Sequence, residues 1–226
     1  MSALLHQPAV LLFIFVLILL FPLADAFLYA RLRTALHVYL WNILSIWALT
    51  LTTVALLYHY GFTPAQFGEN LGLYPRNIAT ALAVVIFVAV LVAINKLQKR
   101  KITPEQYAKQ LDSIRKLIPT APIERLVAIP LAFTAGFCEE FLYRGYLLNL
   151  AASATKSLWL GLLISSILFG FAHLYQGRKG VIGTTVIGLI FGLIFLACRS
   201  LLPGQLLHTA TDLNNLLALS KKVQRT

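Results

Sequence analysis

The sequence predicts an all-α, polytopic transmembrane helix bundle, with about seven spans and one amphipathic helix on the cytoplasmic surface. Three observations carry that prediction. Of the 226 residues, 59% are hydrophobic and only 12% charged, with a mean hydropathy of +0.79, which is too apolar for a water-soluble globule. The apolar residues fall in runs long enough to cross about 30 Å of hydrocarbon. The basic residues, which set the formal net charge of +11, collect between those runs. That pattern is expected of cytoplasmic membrane loops and makes a nucleic-acid partner unnecessary.

The first apolar run covers residues 9–30. Ala24-Asp25-Ala26 within it resembles a signal-peptidase site, but no Lys or Arg precedes the run, which argues against a signal peptide. Asp25 then reads as an interfacial carboxylate near a helix end. A second span is expected at 38–60, followed by a loop marked by Pro64, Gly68, Gly72 and Pro75, and a third at 78–97.

The long polar connection at 98–122 opens on Lys99-Arg100-Lys101, and its Thr103-Pro104-Glu105-Gln106 has the form of a capped helix start. Tyr107, Leu111, Ile114 and Ile118 recur at helical spacing, with Lys109, Arg115 and Lys116 on other faces. This predicts an amphipathic helix on the membrane surface.

Four further spans are expected at 123–150, 157–174, 181–198 and, shorter, 204–219. Residues 9–97, 98–122 and 123–219 thus read as three N-terminal spans, a cytoplasmic linker and a core, all within one membrane domain. Cys138 and Cys198 lie in apolar runs and read as small buried residues, not a disulfide. Thr184, Gly188 and Gly192, and likewise Ala132 and Gly136, place small residues every fourth position, which lets membrane helices approach closely.

With seven spans, charge sets the orientation. Of nineteen Lys and Arg, fourteen fall after spans one, three and five and in the C-terminal tail, while Arg76, Lys156 and Arg199 fall on the opposite side. The other two, Arg125 and Arg144, lie in the fourth span. The N-terminus is therefore expected outside and the C-terminus in the cytoplasm.

The fourth span carries Glu139-Glu140-Phe141-Leu142-Tyr143-Arg144. Each charge placed in hydrocarbon costs at least about 2.5 to 3.5 kcal/mol, so three in six residues need a reason. At a regular helical pitch Glu140 and Arg144 form an i,i+4 pair, and Glu139 points away, unneutralised and available for chemistry. Three more polar groups sit in apolar helices: His173, which closes Phe169-Gly170-Phe171-Ala172-His173, and the i,i+4 pair His208 and Asp212. Counted at 1.5 Å per residue, Glu139 and His173 lie about 20 Å and 24 Å below the outer face, but Asp212 only about 13 Å, so the seventh helix must be tilted or recessed for all to meet.

The ordered set Glu139-Glu140-xxx-Arg144, Phe169-xxx-His173 and His208-xxx-Asp212 on successive apolar segments resembles the CAAX prenyl endopeptidase and bacteriocin-processing group of intramembrane proteases, the CPBP or Abi family. The resemblance covers roughly residues 124–217, and Asp212 stands where the third motif usually has Asn. It implies hydrolysis of a peptide or protein substrate in the lipid phase of a bacterial inner membrane. Glu139 would act as general base, and Arg144 would hold Glu140. His173 and His208, with Glu139, would either coordinate a metal such as Zn²⁺ or position the water and the oxyanion. Asp212 would orient His208 or add a ligand. A cavity opening toward the cytoplasm is expected. Two other classes use similar residues: a non-catalytic membrane scaffold or immunity protein, and a proton-coupled transporter, although the chain has no internal repeat of the kind transporters show.

Overall fold

The computed structural model describes residues 2–68 and 114–223. The third span expected at 78–97 and most of the amphipathic linker lie outside the described residues. Six principal helices follow: α1 (Pro8–Arg31), α2 (Ala35–His59), α3 (Pro122–Thr155), α4 (Leu158–Ala172), α5 (Gly177–Cys198) and α6 (Leu202–Val223). No strand occurs among the described residues, so the all-α expectation holds there.

Four described helical segments are long and apolar enough to cross a membrane: α1, α2, α3 and Leu174–Cys198, which contains α5. The expected count of seven is not confirmed. At 15 residues α4 rises only about 22 Å, short of a full hydrocarbon core. α6 carries His208, Asp212, Asn214 and Asn215 and is too polar to count as an apolar span. Leu12, Leu44, Trp159 and Ile182 stand exposed on the outer surface, as residues facing lipid should.

Local chemistry explains the helix boundaries. Thr34 accepts from the His37 amide at 3.3 Å to start α2, and Ser157 from the Leu160 amide at 3.4 Å to start α4. Glu124 in the first turn of α3 reaches back to the amides of Thr120 and Ala121 at 2.8 and 3.0 Å. Lys116 caps the end of α1, its Nζ donating to the carbonyls of Tyr29 and Ala30 at 2.8 Å each. Tyr39 of α2 donates to the Leu117 carbonyl at 2.7 Å. The close of the linker, a short 3₁₀ turn at Arg115–Leu117, is thereby fastened to α1 and α2.

α3 is the central element: Phe141 to Leu148 are all buried. The small residues singled out by spacing act as close-approach points. A Cβ on Gly136 would collide with Thr209 Oγ1 and lie 2.7 Å from the Gln205 carbonyl and the Thr209 amide, all on α6. Gly136→Val should therefore push α6 off α3. The expected result is a loss of about 1–3 kcal/mol or more in unfolding measurements in detergent, whereas the same change at Gly183, where a Cβ would meet nothing, should leave stability unchanged. Cys138 and Cys198 are buried and form no disulfide, in line with their expected role.

Candidate active site

The glutamates do not sit on a regular α-helix. Ala135–Glu139 and Phe141–Leu147 are π-helical turns, so the even 3.6-residue spacing assumed from sequence does not apply across them. Such turns insert extra residues, re-aim the side chains that follow and concentrate at functional sites. Pro130, one turn earlier, has no N–H to donate to the Leu126 carbonyl and loosens the same stretch of α3.

Glu140 and Arg144 nonetheless pair. Arg144 Nη1 lies 3.0 Å from Glu140 Oε1, and both side chains are about 1% exposed. Glu140 Oε1 also accepts from His208 Nδ1–H at 3.0 Å, which ties α3 to α6. His208 Nε2 lies 3.6 Å from Asp212 Oδ2, beyond hydrogen-bond length. The guanidinium is held further: its carbon lies 4.2 Å from the Phe169 ring centroid and 5.6 Å from that of Phe191, and its Nη2 donates to the Gly188 carbonyl at 3.4 Å. The α5 stripe expected from small-residue spacing thus brings backbone to the charged cluster.

His173 caps the end of α4, and its Nδ1–H donates to the Phe169 carbonyl at 2.8 Å. That bond selects the tautomer in which Nε2 carries the lone pair. Glu139 has no such tether. Its Oε2 is buried with no hydrogen-bond partner among the described residues.

These groups share one space. A cavity of about 440 Å³ is lined by Glu139, Phe169, His173, His208 and Asp212, with a wall that is apolar along Ile46, Ile187, Ile190 and Leu207 and polar at Asn42, Gln176, Thr184, Thr211 and Asn215. The mismatch in depth counted from sequence is resolved by a recessed α6. Gly204, in its first turn, lies against the Glu140 carboxylate, so the helix enters the bundle at the depth of the ion pair, well inside the outer face. The expected convergence of the fourth, fifth and seventh segments is therefore present in the geometry.

The expected metal-ligand set His173, His208 and Glu139 is not gathered in this arrangement. Among the described residues, no three His, Cys, Asp or Glu side chains form a group able to hold a metal ion. At His208 the Nδ1 is engaged by Glu140 at 3.0 Å, while Nε2 lies 3.6 Å from Asp212. Asp25, expected at the interface, is also placed differently. It is 3% exposed and accepts from the Trp41 indole at 3.0 Å, because the end of α1 packs inside the bundle.

Residues 121–214 match the family described as type II CAAX prenyl endopeptidase Rce1-like. This core of the chain is similar to the Rce1-like family. The Rce1-like stretch runs from the residue before α3 into α6 and contains the whole polar network, while α1 and α2 lie outside it. No curated protein and no solved structure matches the chain. The Rce1-like family is one of proteases, so proteolysis is the chemistry its match supports, and with the long apolar helices it points to an integral membrane protein.

Sequence reasoning missed Phe191. Its ring stacks on His208 with centroids 5.0 Å apart and planes 17° apart, and its centroid lies 5.6 Å from the Arg144 guanidinium carbon. The available signal was its position three residues after Gly188, on the small-residue face of α5. Asn42 and Tyr175, which also line the cavity, carried no motif that would have marked them.

Proposed function

We propose that this protein is an intramembrane endopeptidase that hydrolyses a peptide bond with water activated by Glu139. The observation that carries the reading is Glu139 itself, a half-buried carboxylate whose buried Oε2 has no hydrogen-bond partner among the described residues, on the wall of a substrate-sized cavity that it shares with a histidine held in one tautomer. A buried carboxylate oxygen without a partner is costly, and active sites are where such costs are tolerated.

In the proposed reaction Glu139 takes one proton from a water, and the resulting hydroxide oxygen bonds to the scissile carbonyl carbon. His173 Nε2 accepts a hydrogen bond from that water and fixes its direction. His208, in the form with Nδ1–H on Glu140 and Nε2–H toward the cavity, donates to the oxyanion, since 3.6 Å to Asp212 leaves that proton uncommitted. Collapse of the tetrahedral intermediate breaks the C–N bond, and Glu139 returns its proton to the departing nitrogen, leaving a carboxylate and an amine. Glu140 and Arg144 do no proton transfer; they hold His208 and α3 in register.

Zn²⁺ binding by both histidines would require His208 to give up one of its carboxylate neighbours. A bound zinc would act as a Lewis acid on the carbonyl. The apolar part of the wall supports a hydrophobic peptide or one carrying an apolar chain. The charge asymmetry supports a cytoplasmic C-terminus, and Ile114, Leu117, Tyr175 and Gln176, from connections assigned to that side, line the cavity.

The test is purified wild type, Glu139→Ala and His173→Ala with a library of membrane peptides, with and without chelator. Cleavage by wild type alone supports the reading, and activity lost to chelator and restored by Zn²⁺ assigns a metal to the imidazoles. Intact peptides in every reaction would favour the non-catalytic scaffold, and pH-driven uptake into vesicles the transporter.

A further inference from the structure

Adjoining the large cavity, and sharing Asn42, Ile46, Glu139, His173 and Tyr175 with it, lies a second one of about 20 Å³. Its polar lining is Asp25, Asn42, Glu139, Tyr143, His173 and Tyr175. A polar space needs only about 10–15 Å³ to take a water, provided that water finds two to four partners. All six of these residues come from outside the Glu140–Arg144–His208 network. Two of them, Asp25 and Asn42, come from α1 and α2, outside the family match.

Asp25 is the group that needs explaining. It is a carboxylate in the middle of the bundle, 3% exposed, and its one side-chain hydrogen bond among the described residues is from Trp41 to Oδ1. A carboxylate has about four acceptor sites, so a single indole leaves most of its capacity unused. Glu139 and His173 line both cavities. The proposed general base and its neighbour therefore stand between a space that fits a peptide and a space that fits a water.

We propose that Asp25, with Asn42, holds a water beside Glu139 and His173 and is a positioning residue for hydrolysis, keeping the attacking water in stock at the base. This rests on the hydrolytic reading above. Each turnover consumes one water, whose oxygen ends in the new carboxyl group and whose two hydrogens end one on that carboxyl and one on the new amine. With the large cavity filled by substrate, the small adjoining cavity still borders the base and is the space from which the replacement is drawn. Asp25 itself gains and loses no proton in the cycle.

The experiment uses the full chain in detergent and in proteoliposomes, with a cleavable membrane peptide found for wild type. Asp25→Leu removes both acceptor oxygens, and Asp25→Asn keeps the one that Trp41 uses. Asp25→Leu should lower kcat about tenfold or more with KM unchanged, and Asp25→Asn should retain part of what Leu loses, both with the thermal midpoint of wild type. A structural role alone would move the midpoint and leave the kcat of the folded fraction intact. Wild-type kcat in Asp25→Leu overturns this inference alone. Should Leu fail to fold, wild-type kcat in Asp25→Asn overturns it equally. A wild type that cleaves no peptide overturns the hydrolytic reading and this inference with it.

Discussion

Glu139→Gln should lower peptide cleavage by about 10² to 10⁴-fold, the range a positioned general base contributes, while leaving the protein as stable as wild type or more so. Both halves follow from the same geometry. Glu139 Oε2 is buried and makes no hydrogen bond among the described residues, so no hydrogen bond of the fold is lost with that oxygen. Replacing a half-buried carboxylate by an amide of the same size removes a desolvation penalty and the proton acceptor together. The check is a rate measurement paired with thermal unfolding in detergent. A variant that is slow only because it has unfolded would refute the assignment, as would one that keeps wild-type kcat.

The neighbouring carboxylate should behave in the opposite way. Glu140→Gln leaves Arg144 buried without a counter-charge and removes the carboxylate that holds His208, so a loss of about 3–5 kcal/mol is expected in unfolding experiments, the cost of breaking one side of a buried pair. Arg144→Met alone should cost a similar amount and strand the Glu140 charge. The double variant Glu140→Gln, Arg144→Met should lose much less than the two single losses combined, because no uncompensated charge remains. Additive losses would mean that the two residues act independently and that the 3.0 Å pair carries no coupling. Two adjacent glutamates thus separate into one whose loss is felt in rate and one whose loss is felt in stability.

The cluster could be found in the sequence because hydrocarbon makes polar residues conspicuous. Glu139, Glu140, Arg144, His173, His208 and Asp212 stand out from apolar runs for the same energetic reason that brings them together in space. The i,i+4 pairing of Glu140 with Arg144 survives in the fold. The links between segments were not legible. Nothing in the spacing of His208 and Asp212 indicates that His208 reaches across to Glu140, since that bond depends on α6 beginning at depth beside Gly204. Phe191 was passed over and Asp25 was read as interfacial, for opposite reasons. An aromatic ring in a membrane helix is ordinary, and a carboxylate near the end of a run looks interfacial until α2 closes over it with Trp41.

What the sequence by itself determined is the apolar solvent, the helical class and which polar groups stand out within it. Each follows from transfer energies and local geometry that act residue by residue, and the match over residues 121–214 spans the polar groups of α3 to α6. What only the tertiary structure decided is which reactive group is free. Glu139 and Glu140 are chemically identical neighbours on one strand of backbone. It is the π turns of α3 and the packing of α4, α5 and α6 around them that give Glu140 an arginine and a histidine and leave Glu139 facing the cavities with its oxygen unclaimed. Side-chain direction and long-range partners are set by packing across elements far apart in the chain, and no local pattern encodes them.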